Sequence, residues 1–211
     1  MKGSTLKTLT YLNKGFLVLT LSLFSITTAY AGPIVSTLPA TSSNTVGVGG
    51  TNDYAAGFVW DSALDFSYAE LYLGVEGNPA DTFGVSIYNS VGGSPGTLVN
   101  TLSGSVAPST TGIYTYSGVT ALTQGAIYWL VASTGNYADT ANEYIWYDGT
   151  LGDTNYVDTK WIRPSSSGWN SSGAVSPAAF AVYAQVPEPS MLILLALGLL
   201  GMTARRRKAL I

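Results

Sequence analysis

The stretch Tyr68-Ala69-Glu70-Leu71-Tyr72-Leu73-Gly74-Val75 places Ala69, Leu71, Leu73 and Val75 on one side of an extended chain and Tyr68, Glu70, Tyr72 and Gly74 on the other. Successive side chains of a β-strand point to opposite faces, so this period of two marks a strand with one face toward a core. The pattern recurs outward in both directions. Phe83, Val85 and Ile87 alternate with Gly84, Ser86 and Tyr88; Ile127, Trp129 and Val131 with Tyr128, Leu130 and Ala132; Phe180, Val182 and Ala184 with Ala181, Tyr183 and Gln185. In each case the first set is expected to face inward, and Trp60 and Trp129 are expected in the core. Further strands are expected over residues 57–60, 97–102, 113–116 and 144–147. Gly92-Gly93-Ser94-Pro95-Gly96 reads as a turn and residues 164–173 as a polar loop. With no long amphipathic helix and no internal repeat, the series predicts an all-β fold, an antiparallel β-sandwich of jelly-roll-like form.

Composition removes most catalytic chemistry. The chain has no histidine and no cysteine, which excludes Ser–His and Cys–His nucleophile pairs, thiolate or imidazole zinc sites and disulfides. Between residues 32 and 185 only Lys160 and Arg163 stand against eleven carboxylates, a net charge of −9 that the overall −3 conceals, because both ends of the chain are basic. Such a surface repels phosphate backbones, so no nucleic-acid partner is expected, and a polyanionic polysaccharide would need bridging cations. Glycosidase chemistry needs only two carboxylates, and Asp53, Asp61, Asp65, Glu70, Glu143 and Asp148 are the candidates. Acidic side chains on an exported domain are more often solvated than catalytic, and no catalytic residue is assigned. Binding is the better-supported chemistry. Trp146 and Tyr147 adjoin Asp148, while Trp161 and Trp169 fall in polar sequence; an aromatic face with carboxylates nearby stacks on a sugar ring and bonds its hydroxyls. Asp148, Asp153 and Asp158 form an oxygen-rich series suited to Ca2+, without the spacing of an EF-hand. No other cofactor is expected.

The two ends read as targeting segments. Lys2, Lys7 and Lys14 precede an apolar run over residues 16–26, and Ala29-Tyr30-Ala31 offers small residues at the two positions that signal peptidase reads. Residues 1–31 are therefore expected to be a cleaved signal peptide. Residues 186–211 have three parts: Val186-Pro187-Glu188-Pro189-Ser190, an uncharged apolar run over 190–204, and Arg205-Arg206-Arg207-Lys208. The prolines fix φ, remove backbone donors and keep Glu188 extended. About 15 helical residues reach only ~22 Å against a ~30 Å hydrocarbon core, a gap closed by arginine snorkelling and local bilayer thinning. The four cations act as a stop-transfer signal on the cytoplasmic side. Residues 32–185 then form the ectodomain of a type I inner-membrane precursor with a single transmembrane helix.

This order of Pro-Glu-Pro, short apolar helix and basic end resembles the PEP-CTERM sorting signal of Gram-negative bacteria, also known as the ice-binding-protein C-terminal domain. Pro187, Glu188 and Pro189 match its motif and Arg205, Arg206, Arg207 and Lys208 its basic end. The resemblance implies processing by exosortase, a membrane-embedded cysteine transpeptidase that passes its substrates to the cell surface or exopolysaccharide matrix. The ectodomain stretches Val85-Ser86-Ile87-Tyr88, Gly92-Gly93-Ser94-Pro95-Gly96-Thr97-Leu98 and Leu122-Thr123-Gln124-Gly125-Ala126-Ile127-Tyr128-Trp129-Leu130-Val131 resemble the choice-anchor R type of bacterial surface domain, which implies a β-sandwich and brings no catalytic residues. The expected function is that of an exported structural or adhesive protein of the surface or biofilm matrix. The alternatives are a carbohydrate-binding module on the same anchor and a secreted glycan hydrolase. Cleavage after Ala31 gives the first prediction: mass spectrometry of exported material finds Gly32 at the N-terminus, and a chain still beginning at Met1 would overturn it.

Overall fold

The computed structural model describes residues 32–49, 52–76, 82–135, 144–150, 152–164, 168–171 and 176–186. The segments expected to be a signal peptide (residues 1–31) and a transmembrane helix (190–204), and Pro187, Glu188 and Pro189, lie outside the described residues. Ala31–Gln185 forms one compact unit, and among the described residues it contains strands and no helix. In chain order the strands are β1 (Val35–Ser36), β2 (Ala40–Val48), β3 (Asn52–Val59), β4 (Phe66–Val75), β5 (Gly84–Val91), β6 (Ser94–Leu102), β7 (Gly112–Thr120), β8 (Ile127–Ser133), β9 (Tyr144–Gly149), β10 (Tyr156–Pro164), β11 (Asn170–Ser171) and β12 (Phe180–Ala184).

Two antiparallel sheets form the sandwich that the alternation predicts. The first runs β1-β12-β4-β9-β2, with β7 also on β4. In register, β12 covers β4 from Phe66 to Leu71 and β9 covers it from Leu73 to Val75, while β7 pairs along the same residues from Phe66 to Leu73. Thus β12 and β9 lie end to end on one edge of β4 and β7 takes the other. The second sheet runs β11-β10-β3-β8-β5-β6. At one margin the sheets are stitched together. Ser103 and Ser117 exchange backbone bonds of 2.8 and 2.7 Å, and Asn100 Nδ2 donates to Thr120 Oγ1 at 2.6 Å.

The inner faces meet in a core whose largest fully buried members include Trp60, Phe58, Phe66, Trp146, Phe180 and Tyr116. The alternation of β4, β5 and β12 is realised: Leu71, Leu73, Val85, Ile87, Phe180 and Val182 all face this core. Strand β8 departs from expectation. Its inward set is Tyr128, Leu130 and Ala132, whereas Trp129 and Val131 belong to a second cluster on the outer face of the second sheet. A strand flanked by β3 and β5 and covered on both faces is apolar on both, so its sequence does not say which face is inner.

Two turn assignments also change. Only Gly92 and Gly93 form the β5–β6 turn, both with positive φ (61° and 83°), as a two-residue hairpin requires. Ser94, Pro95 and Gly96 already belong to β6, an edge strand, where proline's missing donor is tolerated. The polar segment after Pro164 contains the short strand β11, which adds Asn170 and Ser171 to β10.

Where β1 gives way to β2, Thr37 holds the break. Its N–H donates to the Phe180 carbonyl at 2.8 Å, and its Oγ1 accepts from Phe180 N at 2.9 Å and donates to the Ala178 carbonyl at 2.5 Å. Its own carbonyl accepts from Thr150 N at 2.7 Å. Gly149 packs directly on this knot: a Cβ there would lie 2.9 Å from Thr37 Cβ and closer still to the Thr37 carbonyl oxygen. Thr37→Val strands buried backbone groups and should cost about 1–3 kcal/mol in urea unfolding. Gly149→Ala should lower stability as well, by displacing Thr37. Wild-type stability in Thr37→Val would show that the hydroxyl is dispensable.

Candidate functional site

The aromatic candidates whose side chains are described, Trp146, Tyr147 and Trp169, do not share a surface. Trp146 is removed from any binding role: it is fully buried between the sheets, its Nε1 donates to the Ala179 carbonyl at 3.0 Å, and its ring meets Phe180 at 6.4 Å. The expectation of an exposed platform fails because Trp146 takes the inward phase of β9. Tyr147, one residue on, faces outward from the first sheet. Its ring crosses above Gly74, where a Cβ would lie 2.8 Å from Tyr147 Cε2, and it meets Tyr72 at 5.2 Å and 82°. Tyr68 and Tyr183 stack at 4.3 Å and 11°, and the Tyr183 hydroxyl donates to Glu70 Oε2 at 2.9 Å. The outer face of the first sheet is therefore rich in tyrosine.

The outer face of the second sheet carries a different arrangement. Register aligns Gly57, Trp129 and Tyr88 across β3, β8 and β5, and next to them Ala55, Val131 and Ser86. Trp129 lies over Gly57, whose added Cβ would approach the indole to 2.8 Å. Half-buried Trp169 packs against this cluster and meets Tyr88 at 6.5 Å and 75°. Trp161 pairs through its backbone with Ala55 and Ser171; its side chain lies outside the described residues. Arg163, opposite Asp53 in register, donates Nε to Asp53 Oδ2 at 2.9 Å, adds a still shorter Nη2 bond, and sets its guanidinium carbon 5.1 Å from the centre of the Trp169 ring. Asp53 is 1 % exposed and Arg163 32 %. Beside this pair a groove of about 290 Å³ opens, lined by Tyr88, Val131, Ser86, Ser133, Thr134 and Arg163 among others.

The acidic candidates are dispersed. Asp153 accepts N–H bonds from Ser36 and Asn155, each at 2.8 Å, and so pins a turn to β1. Asp148 is buried at the end of β9, and the Asp158 side chain lies outside the described residues. No group of three acidic side chains suited to a metal ion occurs among the described residues. Of the carboxylates weighed for hydrolysis, Asp53 is tied to Arg163, Glu70 to Tyr183 and Asp61 to Gln124, while Glu143 lies outside the described residues.

Following the compact unit in the sequence, residues 185–208 match the model of the PEP-CTERM protein-sorting motif. The chain carries an exosortase sorting signal. No curated protein matches it in sequence. The PEP-CTERM match spans Pro187, Glu188, Pro189 and the basic residues Arg205, Arg206, Arg207 and Lys208, making the chain an exported, membrane-anchored precursor sorted to the cell surface, with exosortase as its processing partner.

Within residues 32–185, sequence reasoning singled out Trp169 and Tyr147 but passed over Tyr88, Arg163 and the Tyr68–Tyr183 pair. One signal was available: Gly57 and Gly74 interrupt strands, and a strand glycine often marks the close approach of another group. Arg163→Ala removes the guanidinium from the buried Asp53 carboxylate and should lower stability in denaturant unfolding, by less than the ~3–5 kcal/mol of a fully buried pair because Arg163 is 32 % exposed. Asp53→Asn/Arg163→Met together should recover much of that loss. A single variant as stable as wild type would refute the structural role of the pair.

Proposed function

We propose that the chain is a non-catalytic, exosortase-sorted protein of the surface or exopolysaccharide matrix of a Gram-negative cell, with its β-sandwich in a structural or adhesive role. The match over residues 185–208 carries this reading. The resemblance of the ectodomain to choice-anchor R domains, known by their anchoring, supports it. So does the engagement of three of the carboxylates weighed for hydrolysis, Asp53, Glu70 and Asp61, by Arg163, Tyr183 and Gln124.

A second reading, a carbohydrate-binding module on the same anchor, is favoured by the aromatic groups on both outer faces, where Tyr147 and Tyr72 on one and Tyr88 and Trp169 on the other are combined with hydrogen-bonding neighbours. Both readings share one delivery route.

That route is tested at the tail. Glu188→Ala or Pro187→Ala should leave unprocessed precursor in the inner membrane, held by its apolar segment and the basic end. Neutral replacements of Arg205, Arg206, Arg207 and Lys208 should instead weaken the stop and release precursor that has not been properly processed. Fusion of Val186–Ile211 to an exported reporter, in a host with exosortase, should give a cleaved reporter at the surface or in the medium. If reporter and native chain both stay uncut there, the segment is an ordinary anchor.

A further inference from the structure

We propose that the groove lined by Tyr88, Val131, Ser86, Ser133, Thr134 and Arg163 binds a neutral sugar residue of an extracellular polysaccharide. This rests on the carbohydrate-binding reading and gives it a place and a ligand class. A pyranose offers an apolar C–H face and a rim of hydroxyls that both donate and accept. The groove offers the complement, the ring of Tyr88 beside the hydroxyls of Thr82, Ser86, Ser133 and Thr134. Tyr88 is braced by the edge contact with Trp169, so little ordering of its ring is required when a ligand arrives.

The hydroxyls carry both polarities. Ser133 Oγ accepts from Gly135 N at 3.0 Å, which leaves its proton to donate. Ser86 Oγ donates to Thr101 Oγ1 at 3.4 Å, which leaves its lone pairs to accept. Charge selects a neutral ligand. Arg163 already has Nε and Nη2 on Asp53, and an ectodomain with two cations against eleven carboxylates repels a uronate or sulfated sugar before it arrives. The volume of about 290 Å³ is at the lower end of small-ligand clefts, which run from ~300 to 1,000 Å³. It suits one residue at a chain end or branch rather than a buried polysaccharide strand.

The test uses the full-length protein in detergent, titrated by calorimetry and tryptophan fluorescence with cellobiose, maltose and mannobiose as neutral probes, digalacturonate as the acidic probe, and purified extracellular polysaccharide of the host. At least one neutral probe should bind and digalacturonate should not. Gly84 lies on the groove wall, and its added Cβ would meet nothing nearer than the Ser133 carbonyl at 3.8 Å. Gly84→Phe should therefore fill the groove and abolish binding at an unchanged melting temperature. Tyr88→Ala should weaken binding about tenfold, the worth of one aromatic stack. If Gly84→Phe binds as well as wild type, the groove is the wrong site although carbohydrate binding stands, and loss of binding in Tyr147→Ala would then place it on the tyrosine face. Preferential binding of digalacturonate overturns the ligand class. Failure of every neutral probe and of the host polysaccharide overturns the groove and the carbohydrate reading together.

Discussion

The sandwich depends on keeping water out of the seam between its sheets. With no cysteine for a disulfide, the burial of large side chains such as Trp60, Phe58, Phe66, Trp146 and Phe180 must offset the entropy of ordering the chain. Each contributes roughly 1.5–3 kcal/mol when fully buried. Everything at the surface is positioned by that seam, because the inward phase of a strand dictates its outward phase. Trp146 points in, so Tyr147 points out. Ile87 points in, so Ser86 and Tyr88 line the opposite face and the wall of the groove.

The strands legible in the sequence were those whose bulky apolar residues recur on one face. β4 and β5 alternate between buried and partly exposed positions, and β12, buried along its whole length, still shows its inward phase in Phe180 and Val182 against Ala181. β2, Ala-Thr-Ser-Ser-Asn-Thr-Val-Gly-Val, escapes notice because small polar residues carry no period, and pairing with β9 makes it a strand. β10 escapes because its register shifts between Val157 and Lys160, which breaks the period of two just where a reader would count it. In β8 the period is present but ambiguous, since apolar residues occupy both faces.

The candidate site was legible in part for the same reasons. Trp169 and Tyr147 stand out as aromatics, and both lie on outer faces. Arg163 is one of only two cations in the ectodomain sequence, yet its role depends on Asp53, 110 residues away in the chain, a pairing that only the β3–β10 register creates. The same holds for Tyr68 with Tyr183. Long-range register is the part of a β-fold that local pattern does not encode. The two strand glycines bridge these levels: Gly57 and Gly74 look like weak points in sequence, and in the fold each is the space into which a neighbouring aromatic ring settles.

The placement of β12 has a mechanical meaning. It is the last strand before the sorting segment, so in a chain held by its tail any tension enters the domain there. An edge strand would unzip from one neighbour a bond at a time. β12 instead lies between β1 and β4, and Thr37 ties its first residue through both backbone and side chain. Pulling it free requires two ladders and the Thr37 knot to fail together, so the strand nearest the tether is also among the hardest to withdraw.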